Sequence, residues 1–442
     1  MTYAFIIGRV YKLCLAEISQ IFKSLDINYR VISCSKEVLI IETDKEINHT
    51  KIQKSAGGII KIIKIFDIFN KKGKEYPSQV LDGYFTFKKI KELFTDYTGK
   101  KQFGISIYNL DPTVRYKEET TRIAFLIKKT IQDQAINVRA VLPQFPSQAL
   151  SSVQVTENNI LSKGAEIDII VGIQRIFIGK TLSVQDYEDY GRRDYQRPAR
   201  DEISGMIPPK VAQSMINMSD TDASSDYILD PFCGSGTILQ EALLLGLRAI
   251  GSDIDKKAII NSEKNLEWFR NRYKISPGKY KLFEADAKEL SIQLPKMTAT
   301  AVVTEGTLGP IYLKPPKKNE MEQNFNSIEK IYNQAFKEFK QFIAPGSRVV
   351  ICLPAYKISH TDYVRMPNLD FALNNGYNIQ DPLDQSFYKY KFIETSNDRK
   401  SIIYDRKDQV VAREIFIFQL ENINQETVVE SRQQREETES AQ

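Results

Sequence analysis

The chain is 442 residues long, yet it holds only four cysteines and two histidines. Cys14, Cys34, Cys233 and Cys352 lie far apart with no C-x-x-C pair, which argues against a zinc site or a disulfide framework and favours a cytosolic setting. His49 and His360 fall in polar, motif-free segments, so neither is assigned a role and no metal is expected. No apolar run approaches the length of a membrane span. The opening Met1-Thr2-Tyr3-Ala4-Phe5-Ile6-Ile7-Gly8 lacks a basic n-region and reads as a first strand rather than a signal peptide. With 42% apolar and 26% charged residues, the composition is that of an ordinary globular protein with two or three domains.

The net charge of +5 is unevenly spread: residues 1–200 hold 31 Lys/Arg against 22 Asp/Glu, and residues 201–442 hold 30 against 34. A basic first half suggests a grip on a polyanion, although Lys71, Lys72, Lys74, Lys88, Lys89 and Lys91 could equally be a solvated surface. Residues 1–95 show β-rich runs at 3–8, 30–33 and 38–42 with a helical stretch at 13–25, a small α+β pattern. Residues 96–184 repeat it, with strands at 103–108, 138–141, 153–156, 167–172 and 175–184 and an amphipathic helix at 116–134. Residues 185–203 lose apolar periodicity and read as a linker. Residues 204–422 alternate strands (227–229, 248–251, 281–284, 301–304, 348–353) with helices, the signature of a doubly wound sheet, and end in a hairpin of 401–404 and 414–419. The polar tail, 423–442, is expected to be disordered.

Within the third region, Asp230-Pro231-Phe232-Cys233-Gly234-Ser235-Gly236-Thr237 follows an apolar strand and precedes a helix. Gly234 and Gly236 give the turn backbone freedom and let a ligand approach the main chain. The turn lacks the third glycine of a dinucleotide fingerprint. Its D-P-F-x-G-S-G-T form resembles motif I of the S-adenosylmethionine (SAM) methyltransferases that modify exocyclic amino groups of nucleobases. That resemblance makes Asp230, Phe232, Gly234, Ser235, Gly236 and Thr237 cofactor-binding candidates.

Asp253 ends the second strand, nineteen residues after Gly234, where an acid can accept both ribose hydroxyls of an adenosine; Ile254 follows it, and Asp255 suits the N-cap of the next helix better. Asp286, followed by Ala287, stands after the third strand and could accept from an adenine amine. Pro208-Pro209-Lys210 opens a helix and leaves free N–H groups at its start. In amino-methyltransferases such a segment borders the methionine end of SAM, which brings Pro208 into the candidate site; a plain packing helix is the alternative.

These motifs, with Arg193 to Arg200 and the closing segment Arg406 to Glu414, resemble the THUMP-domain tRNA guanosine N2-methyltransferases that act at position 10. The resemblance implies a multidomain α/β and α+β chain: a ferredoxin-like domain at 1–95, a THUMP-like RNA-binding domain at 96–184, and a Rossmann-like SAM domain at 204–422. It further implies tRNA as partner, and some relatives in the family work with a small activating subunit.

The chain departs from the family where chemistry is expected. A guanine amine is a poor nucleophile because its lone pair is delocalised, and the family answers with D-P-P-Y after the fourth strand. Here that strand runs into Glu305-Gly306-Thr307-Leu308-Gly309-Pro310-Ile311-Tyr312. Either Glu305 takes the carboxylate position without an aromatic at Leu308, or Gly309 to Tyr312 keep Pro and Tyr without the acid. A composite gives Glu305 the proton and Tyr312 the stacking, and a loop with decayed chemistry is the alternative. Tyr190, Arg192, Arg193, Tyr195, Arg197 and Arg200 are the RNA-binding candidates, through guanidinium–phosphate pairing and base stacking. The alternative pairs those arginines with Asp189, Asp194 and Asp201. Two other functions stay open: a DNA amino-methyltransferase, which shares motif I, and a catalytically silent RNA-binding protein that keeps SAM.

Overall fold

A computed structural model describes residues 1–96, 98–111, 116, 118–200, 206–221, 226–295, 298–359, 362–394, 399–406 and 409–422. His360, Asp201 and the polar tail from 423 onward, named above, lie outside the described residues. The chain divides into two compact units, Met1–Asp194 with Leu383–Ser396, and Tyr195–Pro382 with Asn397–Gln442.

The first unit is built on one sheet. Its strands are β1 (Thr2–Ile7), β2 (Tyr29–Cys34), β3 (Val38–Thr43), β4 (Ile59–Asn70), β5 (Lys101–Asn109), β6 (Val138–Val141), β7 (Gly164–Val171) and β8 (Arg175–Val184). They lie in the order β2-β3-β1-β4-β8-β7-β5-β6. The β-branched run Ile59–Asn70, which the sequence reading passed over, pairs antiparallel with β1 on one side and β8 on the other, so one sheet passes through both N-terminal regions. The helix Glu119–Gln132 sets Ile123, Ile127 and Ile131 at helical spacing against Phe103, Ile105 and Ile167.

Two expectations in this unit are corrected. Residues 153–156 are helical, within Ser152–Glu157, because Ser151 and Gln154 form a capping box that overrides the β preference of Val153 and Val155. The stretch read as linker contains the helix Tyr187–Tyr195. It lacks an apolar stripe but has acids in its first turn, arginines in its last, and i,i+4 pairs Glu188–Arg192 (3.3 Å) and Asp189–Arg193 (3.0 Å).

The second unit contains β9 (Tyr227–Asp230), β10 (Arg248–Asp253), β11 (Tyr280–Glu284), β12 (Ala301–Thr304), β13 (Arg348–Lys357), β14 (Tyr363–Arg365), β15 (Tyr377–Gln380), β16 (Ile402–Tyr404) and β17 (Val411–Leu420). The order is β11-β10-β9-β12-β13-β17-β15, with β14 beside β13 and β16 beside β17. Strands β9 to β13 run parallel, while β17 lies antiparallel to β13, β15 and β16. The expected closing hairpin is the β16–β17 pair, Ile402 opposite Ile415. Strand order reverses at β9, whose neighbours β10 and β12 lead away on opposite sides. In doubly wound sheets that reversal opens a crevice at the C-terminal strand ends. The long helix Lys318–Phe339 covers one face with Phe325, Ile328, Tyr332 and Phe336, spaced to face the core. Among the described residues no helix is long and apolar enough to cross a membrane.

Candidate active site

The crevice is floored by the turn after β9. Asp230, almost fully buried, accepts the Phe232 N–H at 3.2 Å, and Cys233 N–H donates to Ser252 O at 2.9 Å, which lashes the turn to β10. Gly236 has φ +84°, and a Cβ there would lie 2.5 Å from Ser262 Oγ. Gly234 has φ +52° and open space where its Cβ would be. The turn thus presents bare backbone to the crevice before the helix Thr237–Leu244 begins.

Asp253 ties this turn to the second strand: Oδ2 accepts the Gly234 N–H and Oδ1 the Asp255 N–H, both at 2.9 Å. Asp255 caps the helix Lys256–Tyr273 through the Lys257 N–H at 2.9 Å, as its sequence position suggested. Ile254 between them is 69% exposed. Asp286 pairs with Lys288 at 3.2 Å, and Ala287 beside it is buried. Pro208 is the N-cap of the helix Pro209–Asn217, and Met206 just before it receives a hydrogen bond from Ser235 Oγ on its sulfur at 3.2 Å. The candidates Pro208, Asp230, Phe232, Gly234, Ser235, Gly236, Thr237, Asp253, Ile254, Asp286 and Ala287 therefore all belong to the second unit.

Burial pushes the Asp230 carboxyl up to about 7, with Asp253 and Glu305 adding to it and hydrogen bonds from Thr304 and the Phe232 N–H opposing it. Burial likewise raises the Cys233 and Cys352 thiols, and all four cysteines are buried, which suits packing rather than nucleophilic chemistry.

The loop after β12 is held from below. Gly306 and Gly309 have positive φ (+66° and +83°), and a Cβ on Gly306 would lie 2.3 Å from the Tyr332 hydroxyl. That hydroxyl accepts the Thr307 N–H at 2.8 Å and donates to the Thr307 carbonyl at 2.9 Å. Glu305 receives the Nε–H of Arg413 on Oε1, and Arg413 is 2% exposed. Tyr312 turns to another partner, lying edge-to-face on Tyr356 at 5.8 Å and packed against the core. The two residues of the composite are thus held by separate contacts.

The RNA candidates divide. Tyr190, Arg193 and Arg197 are buried: Tyr190 donates to Ala56 O at 3.2 Å, Arg193 pairs with Asp189 and stacks on Tyr190, and Arg197 donates to Thr237 Oγ1 at 2.6 Å. Buried in this way, these three present little surface to RNA. Arg192 pairs with Glu188 and Asp189, Tyr195 is 65% exposed, and Arg200 lies over the Tyr195 ring at 5.4 Å.

Four contributors were not foreseen. Asn265 donates to Ala199 O and Ser235 O (2.8 and 2.9 Å) and, with Arg197, binds the segment before the Pro-Pro helix to the glycine turn. Tyr332, Thr304 and Arg413 are the others. Only Arg413 had a sequence signal, as a cation between the apolar runs Val410-Val411-Ala412 and Ile415-Phe416-Ile417-Phe418.

Comparison with known proteins places this site. A family model described as "RMKL-like, methyltransferase domain" matches residues 193–376, and one described as "DNA methylase" matches 21–264, just over half of the chain. A "Probable tRNA (guanine(10)-N2)-dimethyltransferase" of Methanothermococcus thermolithotrophicus is 32% identical over 120 residues, 27% of this chain and 70% of that protein. The chain belongs to the tRNA (guanine(10)-N2)-dimethyltransferase family. A tRNA (guanine(10)-N2)-dimethyltransferase of Methanothermobacter thermautotrophicus is 30% identical over 183 residues, 41% of this chain and 48% of that one. The chain thus spans about half the length of the first relatives it matches. In fold it is similar to TrmN from Thermus thermophilus, with a TM-score of 0.51 at 12% identity over 95% of this chain and all of that one. Its second unit has the Rossmann-like methyltransferase fold, and SAM is the cofactor of that fold. The residues fit it: bare backbone and open space at Gly234, a glycine with positive φ at 236, and carboxylates Asp253 and Asp286 following successive strands.

Proposed function

We propose that the chain is a SAM-dependent tRNA methyltransferase that transfers methyl to the exocyclic N2 of a guanosine of the position-10 type. The observation that carries this reading is the acid Glu305 directly after β12, which pairs parallel with β9, the strand that ends in the glycine-turn acid Asp230. Asp253 holds the ribose hydroxyls and Asp286 the adenine amine; Ile254 and Ala287 flank the base. Phe232, Gly234, Ser235, Gly236 and Thr237 cradle the methionine portion beside Asp230 and Pro208. The bound cofactor supplies an electrophilic methyl on a sulfonium sulfur. Glu305 accepts a proton of the guanine amine and so returns lone-pair density to N2. Tyr312, its ring set by Tyr356, stacks on the flipped base.

In this reading the basic N-terminal regions, ferredoxin-like at 1–95 and THUMP-like at 96–184, grip tRNA, and Arg192, Tyr195 and Arg200 are the RNA contacts that remain accessible. We place the protein in the cytoplasm and leave room for an activating subunit, which is tested by assaying the purified chain alone. Nucleoside mass spectrometry of tRNA from cells with and without the gene should show N2-methylguanosine lost in the deletion and not restored by Glu305→Ala. An unchanged level in the deletion overturns the reading. One observation favours a second reading, a DNA amino-methyltransferase: the DNA methylase model spans residues 21–264. Labelled SAM offered with tRNA or duplex DNA separates the two.

A further inference from the structure

We infer that Arg413 is a positioning residue for methyl transfer, acting through Glu305. The inference rests on the reading of Glu305 as the amine's acceptor. Thr304 of β12 pairs with Ile351 of β13, and Arg413 of β17 pairs with Pro354 of the same strand. The ion pair therefore spans the intervening strand and reaches the site from the antiparallel side of the sheet.

The geometry leaves Glu305 usable. Arg413 donates through Nε to Oε1, its Nη1 donates to Gln409 Oε1 at 3.1 Å, and the Glu305 side chain keeps 19% of its surface exposed while Arg413 keeps 2%. Oε2 is the second acceptor, and it is the one the amine hydrogen takes. Asp230, at the end of β9, brings a second carboxyl group to the same crevice, so a buried cation beside Glu305 balances negative charge there. The neighbouring residue shows what a purely structural ionic group in this strand looks like. Glu414 is fully buried and bound to Arg365 (3.5 Å), Arg399 (3.6 Å) and Ser401 (2.7 Å), a separate set of partners from the Glu305 pair. Arg413 is tied instead to the acid that follows β12.

A fixed acceptor affects the chemical step, not cofactor capture. The full-length protein is assayed on tRNA as wild type, Arg413→Gln, Arg413→Lys, Glu305→Gln and the Arg413→Gln/Glu305→Gln double variant. Arg413→Gln is expected to lower kcat about tenfold or more with SAM affinity unchanged, Arg413→Lys to recover part of that, and the double variant to be no slower than Glu305→Gln alone. Wild-type kcat in Arg413→Gln beside a slow Glu305→Gln overturns this inference alone, as does a double variant whose losses multiply. Wild-type kcat in Glu305→Gln overturns the underlying reading instead. Should Arg413→Gln fail to fold, Arg413→Lys carries the test: a several-fold fall in kcat at constant SAM affinity supports the inference, and an unchanged kcat overturns it.

Discussion

Asp230 shows how a residue can suit a site and burden a fold. Burial holds its carboxyl at about 7 against an ordinary 3.8, so the protonated form is favoured in the folded chain. A raised folded pKa gives stability that is full below the unfolded value and is lost as pH rises through the folded one. Over that interval the loss amounts to at most about 4 kcal/mol. Asp230→Asn keeps an oxygen for the Phe232 N–H and removes the titration. Its Tm should exceed that of the wild type most above pH 7, with the gap closing toward pH 4; a gap independent of pH would show that Asp230 ionises without penalty. In the wild type the same buried acid is available to a cationic ligand, so SAM should bind more tightly as pH rises through about 7, and Asp230→Asn should flatten that rise. Isothermal titration across the interval measures it.

In the proposed reaction the loop after β12 carries the chemistry, and its shape is stored in Tyr332. One hydroxyl serves both the N–H and the carbonyl of Thr307, and the two glycines on either side give the loop its positive-φ turns. Tyr332→Phe keeps the packing of the ring on Phe232 and Phe371 but leaves two backbone groups without that partner. The expected cost is about 1–2 kcal/mol in thermal unfolding. It should come with a lower kcat at unchanged SAM affinity, and unchanged kcat would mean that the loop is held by its glycines alone. This element also marks where sequence reading stops. Parallel strands β9 to β13 were legible because short apolar runs alternate with helical stretches, most plainly at Val302-Val303 and Val349-Val350-Ile351, and the glycine turn because strand, turn and helix are contiguous. Tyr332 lies 25 residues from Thr307, and Arg413 lies 108 from Glu305. The first distance is closed by the helix Lys318–Phe339 packing on the sheet and the second by strand pairing, and neither is written in any local pattern. The Arg197–Thr237 contact was hidden for a related reason: an arginine among tyrosines has the same local sequence whether it faces solvent or Thr237.

At the scale of the whole molecule the chain divides its charge unevenly. Residues 1–200 carry an excess of nine positive charges, 31 against 22, and the second half an excess of four negative ones, 30 against 34. The first unit sorts its lysines by structure. Lys71 is buried and donates to Gly73 O, and Lys89 is paired with Asp67 at 2.6 Å, whereas Lys72, Lys74, Lys88 and Lys91 are exposed. If tRNA is held by this unit, each lysine that meets a phosphate releases a counterion on binding, and affinity falls with salt in proportion to the number of such contacts. Changing Lys72, Lys74, Lys88 and Lys91 together to Gln should weaken tRNA binding and lower the slope of log affinity against log salt by about 0.7–0.9 for every phosphate contact removed. SAM affinity should stay constant, because the glycine turn and its acids belong to the other unit. Titrations of labelled tRNA between about 50 and 200 mM salt resolve a change of that size. An unaltered slope would move the tRNA grip off this surface and leave the charge excess to solubility, since net charge alone does not select a partner.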